Sequence, residues 1–266
     1  MTLMEFFIIF IGIMLVSSIG FKNYVWFISL GYGLGISITG ILLLCMYHGM
    51  MDVYGVIACI IFILYGFRLS GYLAYREFVG KTYLKNMKGE IKSGKGMPFF
   101  VKCMLWITCA LLYFMMCSPI IFRIANNGVS DTTFKVGMCV MVAGILLEGA
   151  ADLQKNAAKK KNPNRFVDTG LYRIVRCPNY LGELIMWTGV LIAGCTVLNG
   201  VLQWSVAIIG YVGIVFVMFS GARRLEIRQD KNYGEDSEYK KYKKSVPILI
   251  PFIPLYSVKK YKWLVA

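Results

Sequence analysis

Seven apolar runs of span length, each set off by a short polar break, constrain this chain more than anything else in it. They are roughly Leu3 to Phe21, Tyr24 to Met46, Val53 to Tyr72, Pro98 to Pro119, Phe134 to Ala151, Leu184 to Leu198 with its flanks, and Leu202 to Gly221. A helix needs about 20 such residues to cross the hydrocarbon core of a bilayer. The chain has 266 residues, 58% of them hydrophobic, at a mean hydropathy of +0.61. One soluble core of that length cannot hide so much apolar surface, so lipid has to cover the excess. The expected fold is therefore all-α, a polytopic membrane protein of about seven transmembrane helices. The first run is expected to stay in the mature chain, because Glu5 stands at its start ahead of the continuous apolar stretch, no basic residue precedes it, and no small-residue cleavage site follows.

The formal charge of +15 does not point to nucleic acid, because the cations fall between alternate spans instead of on one soluble face. Arg76, Lys81, Lys85, Lys88, Lys92 and Lys95 lie between the third and fourth runs. Lys155, Lys159, Lys160, Lys161, Arg165, Arg173 and Arg176 lie between the fifth and sixth, and eleven more cations follow the seventh. The opposite loops hold only Arg123. The positive-inside rule then puts the N-terminus outside and the C-terminus in the cytoplasm, with an odd number of spans between. The eight cysteines stand singly without a C-x-x-C pair and read as small packing residues. The one histidine, His48, falls in a short external loop. No histidine is thus available for a metal site or a general base on the basic side, and no metal is expected.

Polar residues inside or beside the spans are the candidates for chemistry. The stretch GYGLGISITG reads as close helix packing, since a nucleotide loop would need a preceding strand. Arg68, Tyr72 and Arg76 share one helical stripe; they either line a site or reach to lipid phosphates and the aromatic belt. Glu148 lies deep in the apolar GILLEGAADLQ, with Asp152, Lys155 and Lys159 on the same face. A membrane-embedded acid is costly and is kept for a cavity, a ligand or an ion pair.

The connector NPNRFVDTGLYRIVRCPNYLGELIMW is too polar to span and too rich in large apolar residues to be a loose linker. Asn162-Pro163 and Asp168 to Gly170 are turn signals, and Pro178 suits the first position of a helix that carries Asn179, Tyr180, Glu183 and Trp187 on its early turns. Arg165, Arg173 and Arg176 approach the same mouth. Guanidiniums beside a helix N-terminus suit phosphates, either of a ligand or of acidic lipid. After the seventh run, SGARRLEIRQDKNY continues as a charged helix ended by Gly234, with Arg224 and Arg228 one turn apart and Glu226 on another side. Lys240 to Lys244 read as a membrane-surface anchor, and Val246 to Pro254 as a turn back toward the interface.

The stretch from Glu148 to Trp187, with D-x-Q, N-P-N, D-x-G-L-Y-R and P-N-Y-x-G-E followed by Trp, resembles the steroid 5-alpha-reductase C-terminal domain, in particular its bacterial branch of unknown function. The tail pattern R-x-E-x-R-x-x-x-x-Y-G, E-Y-x-x-Y and I-P-F-I-P is similar too, as is R-L-x-x-Y-x-x-x-R at the end of the third run. The resemblance implies a seven-helix reductase of the bacterial inner membrane. It would bind NADPH on the cytoplasmic side and reduce an activated C=C bond of a lipophilic enone such as a 3-oxo-4-ene steroid. By position, Asp152, Arg165, Asn179, Glu183, Arg224, Glu226 and Tyr233 are similar to cofactor contacts, with Tyr180 beside them, and Trp187 to a residue near nicotinamide and substrate. Arg165, Arg173, Arg176, Arg224 and Arg228 supply the cations that the phosphates of NADPH require. Tyr72 is the expected donor to the substrate carbonyl, Glu148 the second catalytic candidate, and Arg68 a residue on the substrate side. Two departures stand out: Cys177 replaces the histidine of the family's R-H-P-N-Y, and the second run lacks the acid or amide of the steroid reductases.

Residues 1–97 are expected to form the substrate side, and residues 98–266 the reductase-like part with the cofactor site. An R-H-P-x-Y element also occurs in membrane methyltransferases of the isoprenylcysteine and phospholipid type, so S-adenosylmethionine is the rival cofactor, and a non-enzymatic lipid-binding role is the third reading. The D-x-Q and N-P-N elements and the number of spans favour the reductase. The expected partners are a lipophilic small molecule and membrane lipid; substrate identity and oligomeric state stay open.

Overall fold

A computed structural model describes residues 2–78 and 97–264, and every regular element among them is helical. Lys81, Lys85, Lys88, Lys92 and Lys95 of the basic loop, and the side chain of Arg76, lie outside the described residues. The chain divides into two compact units, residues 1–135 with 191–210 and residues 136–190 with 211–266. Both units draw on sequence beyond residue 98.

Unit 1 is built on α1 (Leu3–Ser17), α2 (Val25–Ile28), α3 (Leu30–Tyr47), α4 (Val53–Phe78) and α5 (Phe99–Ala125). The run expected as one span from Tyr24 is broken at Ser29. Its backbone leaves the helical region (φ −106°, ψ −83°) while its hydroxyl and N–H both turn back to the Val25 carbonyl. The glycines of α3 do pack as expected: a Cβ on Gly33 would stand 2.6 Å from the Gly66 carbonyl oxygen, and one on Gly40 2.6 Å from that of Cys59. Small residues let the two backbones touch, and Ser37 and Ser70 add hydroxyl bonds across to Ile63 and Leu30 carbonyls. Tyr113 Oη donates to the Phe27 carbonyl at 2.7 Å, and Trp106 Nε1 to that of Met14 at 3.0 Å, which fastens α5 to α1 and α2.

Unit 2 holds most of α6 (Thr132–Lys161), the first part of α7 (Pro178–Gly194), the later part of α8 (Gly200–Tyr233) and α9 (Ser237–Ser245). The expected run Phe134 to Ala151 ends ten residues before α6 does; the polar extension carries Asp152 to Lys161. Pro178 is the first residue of α7, and the charged continuation of α8 reaches Tyr233, just short of Gly234, both as expected. Asp236 caps α9 by accepting the N–H groups of Glu238 and Tyr239.

Among the described residues six helices are long and apolar enough to cross a membrane: those of 3–21, 30–50, 53–75, 99–125, 132–161 and 200–233. The seventh expected span is α7, whose 17 residues rise only about 25 Å. Large apolar side chains such as Leu64, Leu146, Leu202 and Val212 point outward along these helices. A surface of this kind belongs in lipid, and the chain is an integral membrane protein.

Candidate functional site

The candidate site lies in unit 2, and glycines set its spacing. A Cβ on Gly182 of α7 would stand 2.6 Å from the Glu148 backbone nitrogen and 2.8 Å from the Gly144 carbonyl oxygen of α6. Two turns further, Gly189 meets Met141 N and Gly137 O in the same way, at 2.5 and 2.7 Å. The two backbones therefore touch along two turns. That contact sets the backbone at Glu148 against Gly182, between Asn179 and Glu183 in the sequence of α7, and both Glu148 and Asp152 are buried. Glu183 and Trp187 are buried, and Asn179 and Tyr180 are half-buried. The Tyr180 ring in turn fills the space over Gly221 of α8, where a Cβ would lie 3.3 Å from its hydroxyl. Arg224 follows three residues later and is exposed; Arg228, one turn on, is half-buried.

The connector is ordered, as its composition requires. Phe166 stacks on Tyr242 with ring centroids 5.3 Å apart and meets Tyr239 and Tyr233 edge-on or tilted. Tyr242 Oη donates to the Tyr172 carbonyl at 2.7 Å, and Tyr172 Oη to that of Ala151 at 3.2 Å. Gly170 has φ +61°, which lets Leu171 N–H reach Gln154 Oε1. Lys159 Nζ donates to the carbonyls of Pro163 and Arg165 and to Tyr233 Oη at 2.8 Å. Arg165 is exposed, with its guanidinium shared between Glu238 (2.6 Å) and Asp168 (2.9 Å), and Arg173 is exposed as well.

Arg176 and Glu226 are placed differently from the surface cations. They form a buried ion pair at 3.3 Å, and Glu226 also accepts the Val258 N–H at 2.9 Å and Lys243 Nζ at 3.1 Å. Arg176 Nη2 donates to the Tyr256 carbonyl, while its Nε and Nη1 are buried with no hydrogen-bond partner among the described residues. Lys243 further bridges to Asp230 at 2.7 Å, and Lys259 reaches the same carboxylate at 3.1 Å. Lys243 is thus turned inward, unlike the surface anchor expected of Lys240 to Lys244. Its spacing of four puts it on the helical face of Tyr239, but nothing in the sequence marks that face as the buried one. Next to Arg176, burial pushes the Cys177 thiol up to about 11, so it stays protonated at neutral pH.

Tyr72 and Arg68 belong to unit 1. Tyr72 is half-buried in α4, and the Arg68 guanidinium lies 5.7 Å from the Tyr65 ring centroid. A hollow of about 300 Å³ in unit 2 is lined by Ile174, Ser245, Pro247, Pro251, Phe252, Ile253, Pro254 and Tyr256; none of the site arginines lines it.

A family model described as "Protein of unknown function (DUF1295)" matches residues 15–246. Among curated proteins the chain is similar to "Steroid 5-alpha-reductase DET2" of Arabidopsis thaliana, 26% identical over 123 residues, which is 45% of this chain and 42% of that one. It is similar to "3-oxo-5-alpha-steroid 4-dehydrogenase 1" of Macaca fascicularis at 29% over 131 residues (48% and 44%) and of Homo sapiens at 25% over 171 residues (61% and 59%). The chain spans about half the length of the curated relatives it matches. No solved structure matches.

Proposed function

The chain belongs to the DUF1295 family, and from that membership and its likeness to steroid reductases we propose that it is a membrane-embedded oxidoreductase. The reaction is transfer of hydride from NADPH to an activated C=C bond of a lipophilic enone, a 3-oxo-4-ene steroid or a similar lipid. One observation carries the reading. The glycine contact of α6 with α7 sets the Glu148 backbone against Gly182, in the helix that carries Asn179, Glu183 and Trp187, and Glu148, Asp152, Glu183 and Trp187 are all buried.

The residues present fit a phosphorylated dinucleotide. Its phosphates need several fixed cations, and Arg165, Arg173, Arg224 and Arg228 supply them. Arg176 adds two buried nitrogens that no described group satisfies, a state that polar groups in folded proteins seldom keep without a ligand or water. Asp152, Asn179, Tyr180, Glu183, Glu226 and Tyr233 are assigned to the same cofactor. When bound, NADPH supplies the hydride. The chain's own groups bind, orient and hold protons. Trp187 offers a buried apolar face for the reacting rings. Tyr72 is assigned as the hydrogen-bond donor to the substrate carbonyl, because a neutral phenol at a span end can be buried and still donate. Glu148 is assigned as the second group to hold a proton within a span, and Arg68 is assigned to the substrate side. The site is assigned to the cytoplasmic face of a bacterial inner membrane, on the distribution of Lys and Arg.

A ligand that binds only the folded state raises its apparent stability, so NADPH should raise the melting temperature of the detergent-purified protein while S-adenosylmethionine should not. Membranes carrying the protein should then consume NADPH when given lipophilic enones. Stabilisation by the methyl donor alone would reject the reductase in favour of a methyltransferase.

A further inference from the structure

Residues 257–264 run back along α8 toward its apolar part. Lys259 Nζ meets Asp230 at 3.1 Å, and Glu226 accepts the Val258 N–H at 2.9 Å. Arg223 donates to the Lys259 and Leu264 carbonyls at 3.2 and 3.0 Å, and the Trp263 ring stacks on Phe216 with centroids 6.1 Å apart and planes at 28°. The helix partners thus descend from Asp230 through Glu226 and Arg223 to Phe216, a rise of about 21 Å. Arg223 and Arg224 mark the end of the apolar stretch of α8, and Phe216 lies about two turns inside it. Trp263 is therefore on the hydrocarbon side of the arginine pair.

Trp263 is 67% exposed there, beside the exposed Phe216 and with Tyr261 at its edge. Lys260 and Lys262 are exposed, and no acidic residue occurs between 257 and 264. An indole at the level of the polar-to-apolar transition, with exposed cations one and three residues away in sequence, suits the two layers of a bilayer surface. The positive charge complements acidic headgroups.

We infer that residues 257–264 form an interfacial anchor for acidic phospholipid, in which Lys260 and Lys262 hold headgroup phosphates and Trp263 lies at the acyl boundary against Phe216. The anchor is tied to the buried pair, because Val258 is held by Glu226 and Tyr256 by Arg176.

The test uses the full chain in nanodiscs of phosphatidylcholine and in nanodiscs of phosphatidylcholine with phosphatidylglycerol. Tryptic cleavage after Lys260 and Lys262 should be on the order of tenfold slower in the acidic discs, with the difference abolished in high salt. In acidic discs, brominated phospholipid should quench a component of tryptophan fluorescence that Trp263→Phe removes. Equal cleavage rates in the two discs would overturn the inference, and that comparison needs no variant. So would quenching that is unchanged in Trp263→Phe. Protection that follows the number of protein copies per disc instead of lipid charge would assign the face to a second copy of the chain and likewise overturn it.

Discussion

Arg176 and Glu226 meet at 3.3 Å inside unit 2, with side chains 1% and 0% exposed, although the sequence places them fifty residues apart as separate surface-type charges. Their pairing fastens the P-N-Y element of the connector to α8 and, through Val258 and Tyr256, to the tail. Removing one charge strands the other. Glu226→Gln leaves Arg176 without a counter-charge, while Lys243 keeps Asp230, and should cost about 3–5 kcal/mol in thermal or denaturant unfolding in detergent. The double change Arg176→Met with Glu226→Met should cost less than Glu226→Gln alone, because it strands no buried charge, with Lys243 still paired to Asp230. A double variant less stable than the single one would show that the hydrogen bond from Val258 outweighs the ion pair.

Gly182 touches the backbone of α6, not a side chain that could swing away. Gly182→Ala should therefore force α6 and α7 apart, at about 1–3 kcal/mol of overpacking. Because Glu148 and Asn179 ride on those helices, NADPH affinity should fall as well. Gly49→Ala, at a position with nothing within 4 Å, serves as the control that should leave both unchanged.

Arg123 is the counterpart in unit 1. It is buried, donates to the carbonyls of Ala193 and Val129 at 2.6 Å each, and bonds Thr196 Oγ1 and Asp131 Oδ2 with its Nη2 while covering the Phe134 ring. Burial alone would raise the Asp131 carboxyl. The hydroxyl of Thr196, the Phe134 N–H and the Arg123 guanidinium outweigh it and hold the group below its usual value of 3.8. A folded-state pKa below the unfolded one gives stability that is present above about pH 4 and is lost as pH falls through the folded value. Melting temperature should accordingly drop below about pH 4 in the native chain, and Asp131→Asn should show a smaller drop over the same window. Parallel acid profiles for the two proteins would remove Asp131 from this role.

Much of this architecture is legible in the sequence because lipid imposes a coarse rule. Apolar run length marks the spans, Pro178 marks the start of α7, and the composition of residues 162–177 requires an ordered connector. The rule fails where local chemistry competes with it. Ser29 breaks the second run because a hydroxyl can take over a backbone carbonyl, and the apolar part of α7 is short because Asn179, Tyr180 and Glu183 occupy its first turns. Side-chain pairing was not legible at all. Neither the burial of Arg176 nor the inward turn of Lys243 follows from spacing, since each depends on a partner distant in sequence that only the folded unit 2 supplies. The close approach of Gly144 to Gly182 is of the same kind: the glycines are visible, but their partners are not.

Tyr72 and Arg165 separate the chemistry of the proposed reaction from its binding. Arg165 is exposed and shares its guanidinium with Asp168 and Glu238, so it can turn to a phosphate by giving up pairs that are worth little in water. Arg165→Ala should weaken NADPH binding by about tenfold at low salt, and by less as salt rises, with the helices still inserted. Tyr72→Phe keeps the ring and removes only the donor hydroxyl. It should lower kcat by about 100-fold or more while the Kd for NADPH stays within about twofold. The two measurements are independent, because loss of a donor to the substrate carbonyl appears in turnover and loss of a phosphate contact appears in affinity. Full activity of Tyr72→Phe would move the proton to another group, with Glu148 the next to test as Glu148→Gln. Unchanged affinity of Arg165→Ala would take the cofactor site away from the connector.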